Sequence, residues 1–197
     1  MSAALQHSMT VEEFLAWENR QDQKYEFDGF APVAMTGGTA VHSRLLGNLA
    51  VAMITRLRGK PCEFHGGDLK LRMAHSVRHP DGLVTCSPPT NKATSVRDPV
   101  IVFEVLSDST ARVDFHDKNR EYAATPSIRR YVILSQDQVL ATMFERVGDD
   151  WVGHILGPDA VIRMPEIDIE VPLAEFYEGI AFDAPPDAPP SGDLPPG

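Results

Sequence analysis

The chain has 197 residues, 43% of them hydrophobic, and a formal net charge of −10, enough apolar material for one core of moderate size. No apolar run approaches the about 20 residues that a bilayer crossing needs, and no basic segment followed by an apolar stretch opens the chain, so neither a membrane span nor a secretory leader is expected and the location reads as cytoplasmic. The acidity weighs against a nucleic-acid partner but is unevenly spread: residues 133–197 hold thirteen acidic residues and two arginines, a net of −11, which leaves residues 1–132 at about +1.

In chain order, Thr10 reads as a helix N-cap with Glu13 completing a capping box, and Val11, Phe14 and Leu15 give that helix an apolar face. Two short β-like runs, residues 24–27 and 30–35, flank Asp28-Gly29 and predict a hairpin. A Thr-Gly-Gly-Thr loop (residues 36–39) leads to a second helix with Val41, Leu45, Leu49, Ala52 and Met53 on one side, stopped by Gly59-Lys60-Pro61. Cys62 and Cys86 form neither a CxxC pair nor a zinc spacing and read as reduced, buried thiols.

Residues 69–73 alternate around Lys70 and Arg72, as a half-exposed strand does, and residues 81–85 form a short run after Pro80. Residues 100–106 are apolar on both faces, the pattern of a central strand covered on both sides. A loop at residues 107–110 precedes a helix over 114–124, ended by Thr125-Pro126. Residues 131–134, 139–145 and 151–156 read as strands, the last two joined across Gly148, and 172–177 as a short closing helix. Residues 1–182 are thus expected to form one α/β domain, a mixed sheet flanked by helices. Residues 183–197 (DAPPDAPPSGDLPPG) cannot bury a core and read as a disordered tail.

Glu104 interrupts the most apolar strand. A buried, unpaired carboxylate costs several kcal/mol, so it calls for a cation, a hydrogen-bond partner or a raised pKa; a buried arginine or backbone amides would serve as well as a metal. Asp81 opens another strand. With Glu104 and the Val105 carbonyl it would make the oxygen-rich set that magnesium prefers. Lys118 lies on the following helix with Tyr122 one turn on. It either steers a metal-bound water or pairs with Asp114 at i,i+4. Glu26, in the hairpin, is a further ligand, a holder of bound water, or a solvated strand residue. His42, at the start of the second helix, contacts phosphate, tunes a ligand, or bonds backbone. The remaining histidines (His65, His75, His79, His116 and His154) show no HxH or HExxH spacing, which weakens any zinc reading. Residues 54–78 hold Arg56, Arg58, Lys60, Lys70, Arg72 and Arg78 against Glu63 and Asp68, and residues 111–132 are also net basic. They offer either a local face for phosphate or a set of solvated side chains.

These pieces in this order resemble the Uma-two family of bacterial restriction-endonuclease-like proteins, whose fold is that of the PD-(D/E)XK nucleases. The matching residues are Tyr25, Glu26, Asp28 and Gly29; Met35 and His42; Pro80 and Asp81; Glu104, Val105, Leu106, Ser107, Ser109 and Thr110; and Asp117, Lys118 and Tyr122. The resemblance spans roughly residues 9–182, and its specificity lies in order and spacing rather than in any one motif. It departs at Phe30, Val132 and Ser135. The resemblance implies a divalent-metal phosphodiesterase, with Mg²⁺ or Mn²⁺ on Asp81, Glu104 and Val105, and Glu26 and His42 auxiliary. The usual lysine two positions after the glutamate is replaced by Leu106, its role passing to Lys118. Nucleic acid, DNA first, is the implied substrate, and a homodimer is expected because cutting both strands is simplest with two sites. The acidic net charge keeps open a catalytically silent scaffold or binding protein on the same fold, and the same site could serve another phosphoester.

Overall fold

The computed structural model describes residues 9–106 and 113–182. The loop residues Ser107, Ser109 and Thr110, the side chain of Asp114 and the tail from Asp183 lie outside the described residues.

Helix α1 (Val11–Glu18) starts as the capping box requires: the Thr10 hydroxyl accepts from the Glu13 N–H while the Glu13 carboxylate accepts from the Thr10 N–H. Strands β1 (Tyr25–Phe27) and β2 (Pro32–Ala34) pair antiparallel. Their turn is built on Asp28, whose Oδ1 accepts from the N–H groups of Phe30 and Ala31, and on Gly29 at φ +93°. A side chain at Gly29 would meet the His75 carbonyl as well as adopt a left-handed backbone.

Helix α2 (Ala40–Leu57) is capped by Thr39 and buries Leu45, Leu49, Ala52, Met53 and Leu57, the stripe its periodicity predicts. The chain then lays down β3 (Glu63–Gly66), β4 (Lys70–Arg72), β5 (Val77–Arg78), β6 (Gly82–Thr85), β7 (Ser95–Val96) and β8 (Pro99–Val105). Helix α3 (Val113–Ala123) crosses over to β9 (Arg130–Leu134), which runs parallel to β8, as a crossover helix dictates. β10 (Ala141–Val147) and β11 (Asp150–Leu156) form a hairpin around Gly148 at φ +61°. β12 (Val161–Met164), β13 (Ile169–Pro172) and α4 (Leu173–Phe176) close the fold.

The strands divide into three sheets rather than one. Six form the central mixed sheet, in the order β11-β10-β9-β8-β6-β3; five form a second, β2-β1-β5-β4-β7; and β12 with β13 makes a ribbon. The central sheet is covered on one side by α2, α4 and the ribbon, where Leu49, Met53, Phe103, Val132, Val171 and Phe176 meet. Its other side packs Val102, Tyr131 and Ile133 against Tyr122 of α3 and Leu71 of β4. α1 closes over β1 and β5 through Phe14, Phe27 and Val77. Among the described residues no helix is long and apolar enough to cross a membrane.

Two expectations are corrected. Cys62 and Cys86 are joined by a disulfide rather than standing as free thiols. The register of β3 on β6 pairs Glu63 with Thr85, which places the two cysteines opposite each other, an adjacency that a separation of 24 residues conceals. Lys70 is buried rather than facing water on a half-exposed strand, because Glu18 of α1 reaches it as a partner.

Candidate functional site

The site begins with the alternation of β8. Ile101, Phe103 and Val105 enter the core on the α2 side, so Val102 and Glu104 face α3. The antiparallel pairing of β6 with β8 sets Gly82 opposite Phe103 and brings Asp81, just before β6, beside the end of β8. There Asp81 Oδ2 accepts the Val105 N–H at 2.7 Å. The other oxygen, Oδ1, lies 3.2 Å from His42 Nε2 on the first turn of α2. Gly38 makes room for that imidazole: a Cβ there would stand 2.7 Å from His42 Nδ1.

On α3, Lys118 and Tyr122 share a face at the i,i+4 spacing and converge on one carboxylate oxygen. Lys118 Nζ is 3.1 Å from Glu104 Oε1, and the Tyr122 hydroxyl donates to the same atom at 3.0 Å. Lys118 Nζ also lies 3.2 Å from Glu26 Oε1. Glu26 is buried because its neighbour Phe27 points to α1 and so turns it the other way. Glu26 accepts the His79 N–H at 2.9 Å through Oε1, and Arg78 Nη1 at 3.2 Å through Oε2. Arg78, 3% exposed, forks onto Glu121 of α3 at 2.9 and 2.7 Å, and the Ser76 hydroxyl adds a bond to Glu121.

Asp81, Glu104, Lys118, Glu26 and His42 therefore meet in one place, with the Val105 backbone among them. Arg78 and Glu121 belong to the same network and were not singled out from the sequence, where Arg78 is one of six basic residues in a stretch. A signal was present: Lys118, Glu121 and Tyr122, at i, i+3 and i+4, put three polar-tipped side chains on the helix face that packs on the sheet.

Burial dominates the electrostatics. It pushes the Glu104 carboxyl up to about 7, aided by the charges of Asp81 and Glu26 and opposed by Lys118. Burial also works against an ionised Glu26, but Lys118, the His79 N–H and Arg78 outweigh it and hold its pKa below the ordinary value. Lys118 is likewise desolvated, yet Glu104 and Glu26 keep it above the usual lysine range. The bond to Asp81 raises His42. Among the described residues, three carboxylates (Glu26, Glu104 and Glu121) share the cations Arg78 and Lys118, while Asp81 is held by the Val105 N–H and His42. The proton that Glu104 retains up to about pH 7 is the one a bound metal ion would displace. No three His, Cys, Asp or Glu side chains among the described residues converge as a ready-made ligand set. Magnesium keeps several waters and commonly takes only one or two carboxylates, so a pair with a backbone carbonyl fits its habits.

The basic stretch of residues 54–78 does not form an open cationic face. Arg56 makes a bidentate pair with Glu175, Lys60 reaches Asp168, Lys70 pairs with Glu18 and Arg72 with Glu12. Arg130 is buried between Glu145 and Glu166. The acidic C-terminal third thus supplies partners to cations elsewhere in the chain.

The family model described as "Putative restriction endonuclease" (Uma2) matches residues 11–174. "Uncharacterized protein slr1290" from Synechocystis sp. is 33% identical over 88% of this chain and 94% of its own length. "Uncharacterized protein sll1609" from the same organism is 28% identical over 83% and 96%. The crystal structure of "a putative nuclease belonging to DUF820" from Anabaena variabilis superposes with a TM-score of 0.73 over 86% of this chain and 97% of that one, at 12% identity, a likeness of fold. The mixed α/β, restriction-endonuclease-like architecture is thereby shown.

Proposed function

From the premise that the chain belongs to the Uma2 family, we propose that it is a metal-dependent endonuclease hydrolysing phosphodiester bonds in nucleic acid, DNA first. The observation that carries this reading is the half-buried carboxylate pair Asp81 and Glu104 beside Lys118, with the Glu104 pKa raised by burial and by the charge of Asp81.

Asp81, Glu104 and the Val105 carbonyl would hold Mg²⁺ or Mn²⁺, which supplies Lewis acidity toward the phosphate and a bound water of lowered pKa. The chain's own residues do the positioning. The Val105 N–H and His42 hold the two oxygens of Asp81, and the Tyr122 hydroxyl fixes Glu104 Oε1. The Lys118 ammonium, protonated throughout the physiological range, donates to the attacking water or to a phosphate oxygen and offsets negative charge as it builds. Glu26 and His42 act on these groups from behind. A homodimer is the simplest way to cut both strands of a duplex, and light scattering reads it directly.

One observation favours a second reading, a catalytically silent scaffold on the same fold. Most cations of residues 54–78 already have carboxylate partners, which leaves little free positive surface for phosphate. The deciding experiment incubates the protein with plasmid and single-stranded DNA in Mg²⁺, Mn²⁺ or EDTA, beside Glu104→Ala and Lys118→Ala. Metal-dependent cleavage absent from both variants supports the nuclease. No cleavage by any form, with no metal binding by calorimetry, supports the scaffold.

A further inference from the structure

We propose that Arg78 and Glu121 are positioning residues that hold Glu26 as a second seat for the Lys118 ammonium, one that Lys118 keeps when a cation takes up the charge of Glu104. The inference rests on the role given to Lys118 above.

Lys118 is shared between two carboxylates, 3.1 Å from Glu104 and 3.2 Å from Glu26. The two are not equivalent. Glu104 is a candidate metal ligand, and its Oε1 is already divided between Lys118 and Tyr122. A cation bound there competes for the same negative charge and weakens its hold on the ammonium. Glu26 is committed elsewhere. One of its oxygens takes the His79 N–H as well as Lys118, and the other takes Arg78. These bonds fix its orientation and make it an anchor rather than a metal ligand.

Arg78 is what sets the anchor. Its planar guanidinium spends Nε and Nη2 on Glu121 and Nη1 on Glu26, so three elements, β1, β5 and α3, are tied at one buried group. Glu121 lies three residues after Lys118, on the same face of α3. The fork therefore fixes the helix face that carries the lysine relative to the strand that carries its counter-ion. A lysine at position 78 keeps the charge but cannot make a planar fork and a third bond together.

The test uses the full chain as wild type, Arg78→Gln, Arg78→Lys and Glu121→Gln, with thermal melts to score folding. Glu121→Gln keeps the shape and a hydrogen bond, and serves if Arg78→Gln does not fold. The first readout is the ¹⁵Nζ–¹³Cε signal of Lys118, assigned by its loss in Lys118→Ala. It should be sharp and protected from water exchange in the wild type, and stay so on adding Mg²⁺. In Arg78→Gln and Glu121→Gln it should broaden on adding Mg²⁺, with Arg78→Lys between. The second readout is the split between metal binding and turnover. Mg²⁺ affinity by calorimetry should hold within about threefold, while the single-turnover rate falls about a hundredfold, the usual cost of an ångström-scale misplacement. Unchanged Lys118 signals and rates in folded variants would overturn the proposal, as would a lower melting temperature with full activity per folded molecule. A wild type that cleaves nothing overturns the nuclease reading instead, and the Lys118 signal then decides the positioning role by itself.

Discussion

The two faces of β8 make an instructive pair. On the α2 side Ile101, Phe103 and Val105 enter a wholly apolar layer, with Phe103 edge-on to both Phe64 and Phe176. On the α3 side, Val102 is followed by Glu104, whose neighbours are a lysine, a tyrosine hydroxyl and further carboxylates. Backbone and pairing are shared, so the strand itself does not distinguish the faces. What differs is the supply of partners. The first face is complete as it stands, whereas on the second burial and the nearby charges of Asp81 and Glu26 raise the pKa of Glu104 against the pull of Lys118. A sheet face that gathers carboxylates closely enough to raise the pKa of one of them is suited to receive a cation, and the contrast can be broken or sharpened residue by residue.

The largest effect should come from Glu104→Ala. It removes half of the proposed ligand pair and one of the two carboxylates on Lys118, and should take metal-dependent cleavage to background while the chain still folds. A variant retaining more than a tenth of the wild-type rate, about 1.4 kcal/mol of barrier, would sink the assignment of Glu104. Phe103→Ala, one residue away on the opposite face, should do the reverse. It should cost about 3–5 kcal/mol of stability in denaturant titration, as large-to-small core changes do, with activity per folded molecule kept. A matching loss of specific activity would mean that the two faces are not separable.

The pH dependence of metal binding comes next. Glu104 in the free protein holds its proton up to about pH 7, and a ligand must release it. Metal affinity should therefore rise with pH up to about 7, by up to tenfold per unit below that point, and level off above it. Calorimetry in two buffers of different ionisation heat should show proton release at about pH 6 and little at about pH 8. The same sign holds for stability. The folded pKa lies above the ordinary carboxylate value, so the folded state binds more protons between the two, and the group's contribution falls as pH rises from about 4.5 to about 7. A flat affinity across this window would mean that Glu104 is ionised in the free protein.

The smallest effect is expected at Gly38. An added Cβ would crowd His42 Nδ1 and Cγ at 2.7 and 2.9 Å. Gly38→Ala should push the imidazole off Asp81 and slow turnover several-fold, while His42→Ala should leave nothing further for Gly38→Ala to remove. Additive effects in the double variant would show that the glycine acts through something other than the imidazole.

Local features were legible from residue order because their causes are local. The capping box at Thr10 and Glu13, the Asp28-Gly29 turn, the stripe of α2 and the apolar run around Glu104 each depend on groups a few residues apart. The convergence of Asp81, Glu104, Lys118, Glu26 and His42 was anticipated through family resemblance and through the oddity of a carboxylate in an apolar strand. Periodicity by itself does not bring β1, β6, β8, α2 and α3 to one point.

Tertiary structure decided who partners whom. The disulfide between Cys62 and Cys86 follows from the register of β3 on β6, and register is settled by which faces are buried across the sheet rather than by sequence separation. The burial of Lys70 and the capture of Arg56, Lys60 and Arg130 by distant carboxylates come from the same cause. Charge is conspicuous in a sequence, but its neutralisation is a matter of distance in space. Arg78 shows this most sharply: along the chain it is one of a run of basic residues, and in the fold it is the buried group that ties β1, β5 and α3 together. Residue order determined that this chain carries a carboxylate in an apolar central strand; only the packing of α3 against that strand decided that Lys118 and Tyr122 would answer it.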